Sequence, residues 1–448
     1  MTDLLSIGAS GISAYRSALS VVGDNVANAE TDGYSRRTIT LTQSIASFGS
    51  DPLSINRATA GGITQGTVVR AWDDFRASES RVSQADAGSA ETRTRWLSNI
   101  ETALDDGETG AGVALTAFYT SAEKLSADPG GTSPRGGFMS ALGEAAATIR
   151  TSADALSRAA QGISAEAGEA TRALDTSLQS LARVNEAMKR AAPGSAAATN
   201  LADTRDQLLD DISKKVGIDV SLSPRGAATV TLAGSSDVTL VDGNAAAEVS
   251  LRTATDGRLS LSLTLRGELK AVQPTGGTLA GLIDVAATTA GRRADLDAIA
   301  QDFAKSVNDF QARGRTPAGT AGANLLVADA GAAGLRLLTD NGSAIAAAST
   351  DGVANGNLAS LQASREGGAE TRLAAIVTAH ALVVSSAKSE AAAATTRRDN
   401  AFAARDEVGG VDLDREAAEL LRYQQAYSGS AKLIQIARET LQDVLNLF

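Results

Sequence analysis

At 448 residues the chain has surface enough for two to four cores. With 43% hydrophobic but only 3% aromatic residues, those cores should be thin and built from slim helices, which leaves out a large aromatic-lined ligand pocket. A formal net charge of −11 argues against nucleic acid or an anionic membrane as the main partner, and the absence of cysteine excludes disulfides, thiolate metal sites and thiol nucleophiles.

The opening Met-Thr-Asp-Leu-Leu-Ser has an acidic residue and no basic region before an apolar core, so a cleaved signal peptide is not expected. No window approaches the roughly 18 to 20 apolar residues of a membrane span, and no membrane insertion is expected. Asp3 or Ser6 can cap a first helix running to about Ala29, which Glu30-Thr31-Asp32-Gly33 then breaks. Thr38 to about Val69 reads as extended and irregularly paired. Trp72 to about Leu104 reads as a long helix with Phe75, Val82, Trp96, Ile100 and Leu104 apolar. Past Asp105-Asp106-Gly107, helices are expected over about Gly112–Leu125 and Gly137–Lys189, separated by the breaker Asp128-Pro129-Gly130-Gly131.

A helix over about Thr199–Val216 should turn Leu201, Leu208, Leu209 and Ile212 inward and leave Asp203, Arg205, Asp206, Asp210 and Asp211 mostly outside. From Gly217 to Pro274 alternation takes over, as in Val230-Thr-Leu232 and Leu259-Ser-Leu261-Ser-Leu263-Thr-Leu265, with hairpin turns at Asp242-Gly243 and Asp256-Gly257. Helix resumes at about Leu279–Arg313. A Gly/Ala-rich stretch to about Gly356 holds one expected hairpin near Leu335–Ala346. A long helix from about Glu370 to Glu407 precedes Gly409-Gly410 and a terminal helix. The fold expected is mainly α with an inserted β domain: an axial coiled coil of terminal helices from 1–36 plus 410–448, a helical-bundle body from 37–216 plus 279–409, and a small outer β domain from 217–278.

Both ends carry a seven-residue apolar repeat. Leu5, Ile12, Leu19 and Val26 form one; Leu413, Leu420, Tyr427, Ile434, Leu441 and Phe448 form the other. Gly8, Tyr15 and Val22, with Tyr423, Ala437 and Val444, fall at the interleaved positions. A 3.5-residue apolar period marks a seam built to pack on another helix, often in a left-handed supercoil. An ordinary amphipathic core helix would explain one such repeat. Two of them, the second continuing to Phe448, point to termini that come together and to an assembly subunit.

Chemistry is hard to place. His380 is the single histidine, and its setting in Ile376-Val-Thr-Ala-His-Ala-Leu-Val-Val suits a packed helix residue. Without a second histidine or any cysteine, histidine triads and common zinc sites lack residues, and no lysine follows a glycine as a phosphate-binding loop requires. Asp73-Asp74, Asp105-Asp106 and Asp210-Asp211 are neighbours that diverge by about 100° on a helix. Carboxylates from distant segments could still form a glycosidase-like cleft, as a secreted peptidoglycan-cutting enzyme would need. The chain is expected to be no enzyme and to carry no cofactor.

Some of these residues also resemble a known family. Ala27-Asn28-Ala29-Glu30-Thr31-Asp32-Gly33-Tyr34-Ser35-Arg36 is similar to the N-terminal motif of flagellar rod, hook and hook-associated axial proteins. Within that motif Asn28, Thr31, Gly33, Tyr34, Ser35 and Arg36 carry the match, and the Tyr-Ser-Arg ending resembles the hook-associated protein 1 (FlgK) family. The segment from Gly410-Val-Asp-Leu-Asp-Arg-Glu through Tyr423-Gln-Gln-Ala-Tyr427, then Ala431-Lys-Leu-Ile-Gln and Leu445-Asn-Leu-Phe448, looks like the tail of the same family, with weaker echoes at Val69–Phe75, Leu125–Arg135 and Asp203–Leu209. Ser428-Gly429-Ser430 departs from a good helix former, and the middle is short for that family. The resemblance implies a structural subunit of the hook–filament junction, exported by the flagellar type III pathway to the extracellular flagellum. It implies a homo-oligomeric ring flanked by hook protein and hook-associated protein 3, and an export chaperone on the C-terminal helix. A hook or distal-rod subunit is the alternative within the same class.

Overall fold

The computed structural model of the chain describes residues 2–31, 33–44, 61–104 and 107–446. Asp32, Asp105, Asp106 and Phe448 lie outside the described residues. Helix α1 (Thr2–Ala27) leads into a ribbon of β1 (Arg37–Ser44) antiparallel to β2 (Gly62–Arg70), with a register shift between Ile39 and Leu41. The helices α2 (Asp74–Ala103), α3 (Ala111–Ala127), α4 (Thr132–Arg190) and α5 (Ala196–Lys215) follow. Next come β3 (Ile218–Leu222), β4 (Ala228–Leu232), β5 (Ser235–Asp242) and β6 (Ala245–Ala246) in one antiparallel sheet. A second sheet holds β7 (Glu248–Thr253), β8 (Leu259–Leu265) and β9 (Glu268–Val272). Helix α6 (Gly277–Arg313) returns to the bundle, followed by the two-residue strands β10 (Leu326–Val327) and β11 (Arg336–Leu337), which pair. Helices α7 (Leu358–Ala363), α8 (Ala369–Gly409) and α9 (Leu413–Asn446) complete the chain.

The spine is α4, whose 59 residues extend about 88 Å at 1.5 Å per residue. Leu142, Ile149, Leu156 and Ile163 recur every seven residues along it and are fully buried against α2, α3 and α6. Aromatic side chains concentrate in one knot. Phe118 meets Tyr119 and Phe303 edge-on and Phe138 at a tilt, at centroid distances of 5.1, 5.3 and 5.2 Å. Elsewhere the core is thin, as the composition requires. On α2 the buried positions are largely small, Ala77, Ala85, Ala87 and Ala90, while Phe75 stands 77% exposed and Val82 is exposed beside it. Alanine lets α8 lie close along α2, and the buried Ala387, Ala394 and Ala401 answer it from the other side.

The two sheets follow the alternation. Ala228, Val230 and Leu232 of β4 and Leu259, Leu261 and Leu263 of β8 are buried, with polar residues between them facing outward. Gly243 and Gly257 take φ of +62° and +94° in the turns at Asp242-Gly243 and Asp256-Gly257. The insert closes on itself where it meets the bundle, since Gly217 N–H donates to the Gly276 carbonyl at 3.2 Å.

The hairpin expected near Leu335–Ala346 is not formed. Arg336–Leu337 pairs back to Leu326–Val327 instead, and the backbone beyond it is held by side chains. Gln311 Oε1 accepts from Ala346 N–H at 2.7 Å, and its Nε2 donates to Ala344 O at 2.9 Å. Asn357 Nδ2 donates to Ala346 O at 2.8 Å. Peptide groups satisfied in this way have no need of a strand partner.

His380 is a core residue of α8. It is buried, its Nε2 lies 2.9 Å from Leu97 O of α2, and its Nδ1 finds no partner among the described residues. Burial holds its pKa below the usual histidine value; the Leu97 hydrogen bond and Glu101 oppose this, and Arg292 of α6 adds to it. The folded state therefore keeps the ring neutral while the unfolded chain takes up a proton below about pH 6.5. Stability contributed by His380 is complete above that pH and is lost as pH falls toward the lower folded value. The thermal midpoint should drop between pH 7.5 and 5.5, and His380→Gln should flatten that part of the profile. Parallel profiles for the two proteins would assign the acid sensitivity elsewhere.

Candidate assembly site

Helices α1 and α9 pack antiparallel along their lengths. Gly8 faces Ser430 and Ile434, Tyr15 faces Tyr423 with ring centroids 6.4 Å apart, and Asn25 faces Glu416. Small residues set the spacing: Ala14 and Ala18 are fully buried, and a Cβ on Gly8 would come within 2.6 Å of Ile434 Cγ1. The interleaved positions Gly8, Tyr15, Val22, Tyr423 and Ala437 thus occupy the line of contact within the chain. Of the other repeat, Leu5, Ile12, Leu19, Leu420 and Ile434 are half-buried along its margins. Val26, Leu413, Tyr427 and Leu441 are exposed, as are Leu4, Leu421 and Ile436. The pair accordingly carries an apolar surface that the described residues do not cover.

The segment after α1 is a turn built by its own side chains. Asn28 Nδ2 donates to Asp24 O at 2.8 Å, Thr31 Oγ1 to Asn28 Oδ1 at 3.3 Å, and Tyr34 N–H to Thr31 O at 3.1 Å. Gly33 adopts φ of +73° hard against Gln207 of α5, where a Cβ would lie 2.5 Å from Gln207 Cγ. Tyr34 Oη donates to Asn25 Oδ1 at 2.8 Å; burial pushes its pKa up to about 12, so the phenol keeps its proton and remains a donor. Asn25 Oδ1 also accepts from Arg37 N–H, and its Nδ2 donates to Arg37 O and to Glu416 Oε2, each at 2.9 Å. Arg36 Nε completes the cluster by donating to Glu416 Oε1 at 2.7 Å, and Glu416 is fully buried.

From this knot an ion-pair ladder runs into the body. Arg37 reaches Asp203 at 2.6 Å and Asn200 at 2.7 Å. Arg70 of β2 bridges Asp203 and Asp206, both at 2.8 Å, while its Nη2 donates to Ser35 Oγ at 3.0 Å. Arg81 of α2 joins Asp206 to Asp210, and Arg405 of α8 reaches Asp210 at 2.9 Å. Arg205 grips Asp206 and donates to Gly226 O at 2.7 Å, which ties in the loop before β4. Trp72 lies under the Arg70 guanidinium at 4.6 Å.

This arrangement overturns the expectation that Asp203, Arg205 and Asp206 face outward. All three are buried, and Asp210 is partly so; Asp211 is exposed. The periodicity of α5 was sound, but its charged face meets Arg37, Arg70 and Arg81 from segments far away in sequence, and pairing permits the burial. Asn25, Arg37, Arg81 and Arg405 are positions of this joint that reading the sequence missed, and Arg70 and Glu416 entered only as part of the resemblance. The available signal was the density of charge in Asp203-Thr-Arg-Asp-Gln, more than a solvated helix face requires.

The model of the flagellar hook-associated protein FlgK helical domain matches residues 97–326, more than half of the chain. The chain belongs to the FlgK family. Models of the flagellar basal body rod protein and of the rod FlgEFG protein C-terminal region match residues 5–34 and 405–447, which are the two partners of the α1–α9 pair and their joint. Among curated relatives, flagellar hook-associated protein 1 of Bacillus subtilis is 26% identical over 97% of this chain and 96% of its own length. The protein of the same name in Salmonella typhimurium is 26% identical over 56% of this chain but 44% of its own. A FlgK structure from Burkholderia pseudomallei superposes with a TM-score of 0.54 at 19% identity, covering 61% of this chain and 66% of that one, and shares the fold. The FlgK family is one of flagellar structural proteins, not of enzymes.

Asp206 is the centre of the ladder, so Asp206→Asn should leave Arg70, Arg81 and Arg205 short of their counter-charge. Breaking a buried pair from one side costs about 3–5 kcal/mol. Urea unfolding followed by circular dichroism should show a loss on that scale, whereas Glu186→Gln at the exposed Arg190 pair should leave the midpoint unmoved. Equal midpoints for the two variants would show that the ladder does not stabilise the body.

Proposed function

We propose that this chain is the subunit that joins hook to filament in the bacterial flagellum. The observation that carries the reading is the union, in one chain, of a FlgK helical domain with rod-type ends that pair as α1 and α9, aligned to a hook-associated protein 1 along nearly its whole length. Three parts would divide the work: an axial unit from 1–36 plus 410–448, a helical body from 37–216 plus 279–409, and the β insert from 217–278.

In this reading the uncovered apolar residues of the terminal pair meet the same pair in neighbouring subunits and close a ring. The assembly seam is Leu5, Ile12, Leu19 and Val26 with Leu413, Leu420, Tyr427, Ile434, Leu441 and Phe448, and the turn from Asn28 to Arg36 directs the axial pair out of the body. Hook protein on one side and hook-associated protein 3 on the other are the neighbours. Before assembly the exposed stripe of α9 is an aggregation hazard, which suits an export chaperone there and passage through the type III pathway to the cell exterior.

A strain lacking this protein should make hooks without filaments and shed filament subunits into the medium, as electron microscopy and blotting would show. Absence of hooks would favour a rod or hook role instead. Leu420→Asp places a carboxylate on the seam while the main core, around Phe118, lies elsewhere. The purified variant should melt close to wild type yet fail to retain filaments. A variant that is secreted normally and still anchors full filaments would show that this seam is not the joint.

A further inference from the structure

Two helices that both repeat every seven residues leave their mutual register open. Sliding α9 by one heptad would set Tyr15 against Ser430 and Val22 against Tyr423, and the apolar repeats would still face one another. Side-chain volume resists that slip at Gly8, whose place beside Ile434 Tyr15 would have to take. Glu416 discriminates sharply. Both of its oxygens are engaged, one by Arg36 Nε at 2.7 Å and one by Asn25 Nδ2 at 2.9 Å, and the side chain is out of contact with water.

Moved one heptad in one direction, the carboxylate would lie against the buried methyl of Ala18, a site with no side-chain donor of its own. Moved the other way, it would pass Ala27, where α1 ends, and strip Asn25 and Arg36 of their acceptor. Neither donor can follow. Asn25 is fixed by Tyr34 Oη and the Arg37 peptide, and the Arg36 backbone is fixed to Gly409 O and Ala71 N–H, both at 2.8 Å. We propose that Glu416, with Asn25 and Arg36, is the register lock of the terminal helix pair. Buried polar groups in helical seams act in this way by making every other alignment leave a group unpaired.

The consequence reaches the outside of the pair. A slip of one heptad would shift the exposed residues of α9, Leu413, Leu421 and Ile436 among them, by about 10.5 Å relative to Leu4 and Val26 of α1. A composite surface made by both helices then exists in one register and not in the next. The inference rests on the geometry of the chain itself and holds whether or not the junction reading does.

The test uses the full-length chain, which contains no cysteine, so introduced pairs report without background. Tyr15→Cys with Tyr423→Cys reads the observed register, and Tyr15→Cys with Ser430→Cys reads the displaced one. In an otherwise wild-type chain the first pair should oxidise far faster. In a Glu416→Met/Arg36→Met background, where apolar side chains replace the buried ion pair, the helices should persist and the displaced pair should gain at least about tenfold on the observed one. An unchanged ratio with helicity intact would overturn the lock. Should that background lose its terminal helices, charge exchange decides: Glu416→Arg should abolish the Tyr15–Tyr423 cross-link and Glu416→Arg/Arg36→Glu should restore it. Failure of the exchange to restore the cross-link would equally overturn the proposal.

Discussion

The architecture depends on the mutual neutralisation of arginine and carboxylate inside the joint between the terminal pair and the body. Arg36, Arg37, Arg70, Arg81, Arg205 and Arg405 come from five places in the chain, and Glu416, Asp203, Asp206 and Asp210 receive them. Apart from Asp210 and Arg405, which keep partial access to water, none of these charges would be tolerated alone where it sits. Together they make directional contacts that an alanine-rich packing surface cannot supply. The ladder links α9, the ribbon, α5, α2 and α8 in sequence, so the position of the terminal helices is referred to the body through short hydrogen bonds rather than through bulk.

That division suits the composition. Helices lined by alanine and glycine approach closely but interlock weakly, because a methyl group fills little space and offers few shapes. The body compensates with one aromatic knot at Phe118 and with the long apolar stripe of α4. Toward the axial end there is no comparable knot among the described residues, and the burden passes to polar groups with fixed geometry.

Much of this was legible before any coordinates. The helix periods, the breakers at Gly33 and Asp128–Gly131, the strand alternation and the insert between Gly217 and Pro274 are local properties, and local chemistry placed them within a few residues. The motif residues around Tyr34 were visible through resemblance, and the apolar repeats through spacing. Hidden was everything that required a partner at long sequence distance. Asp203 and Asp206 looked like solvent-facing charges because a helix pattern cannot show Arg70 arriving from the ribbon. The stretch after Leu335 looked like a hairpin because its peptide groups seemed to need a strand, whereas Gln311 and Asn357 supply the hydrogen bonds. Glu416 entered only as part of the tail resemblance, since an acidic residue in the first turn of a helix, as Asp414 also is, is ordinary until Asn25 and Arg36 close over it.

The backbone bond from Gly217 to Gly276 has a consequence for how proteins of this kind diversify. The two crossings between bundle and insert touch, so the excursion is a closed loop, and it is seated along α4 as well, where Asn185 holds the backbone of Ala228 and Gly243. The entropy of closing such a loop rises only with the logarithm of its length, about 0.6 kcal/mol per doubling. A module of another length could use the same crossings provided it still covered the face of the bundle that now shares a core with Val230, Leu240 and Leu261. Length can thereby vary at those hairpin tips that lie away from α4, while the strands that share the bundle's core stay bound to its packing.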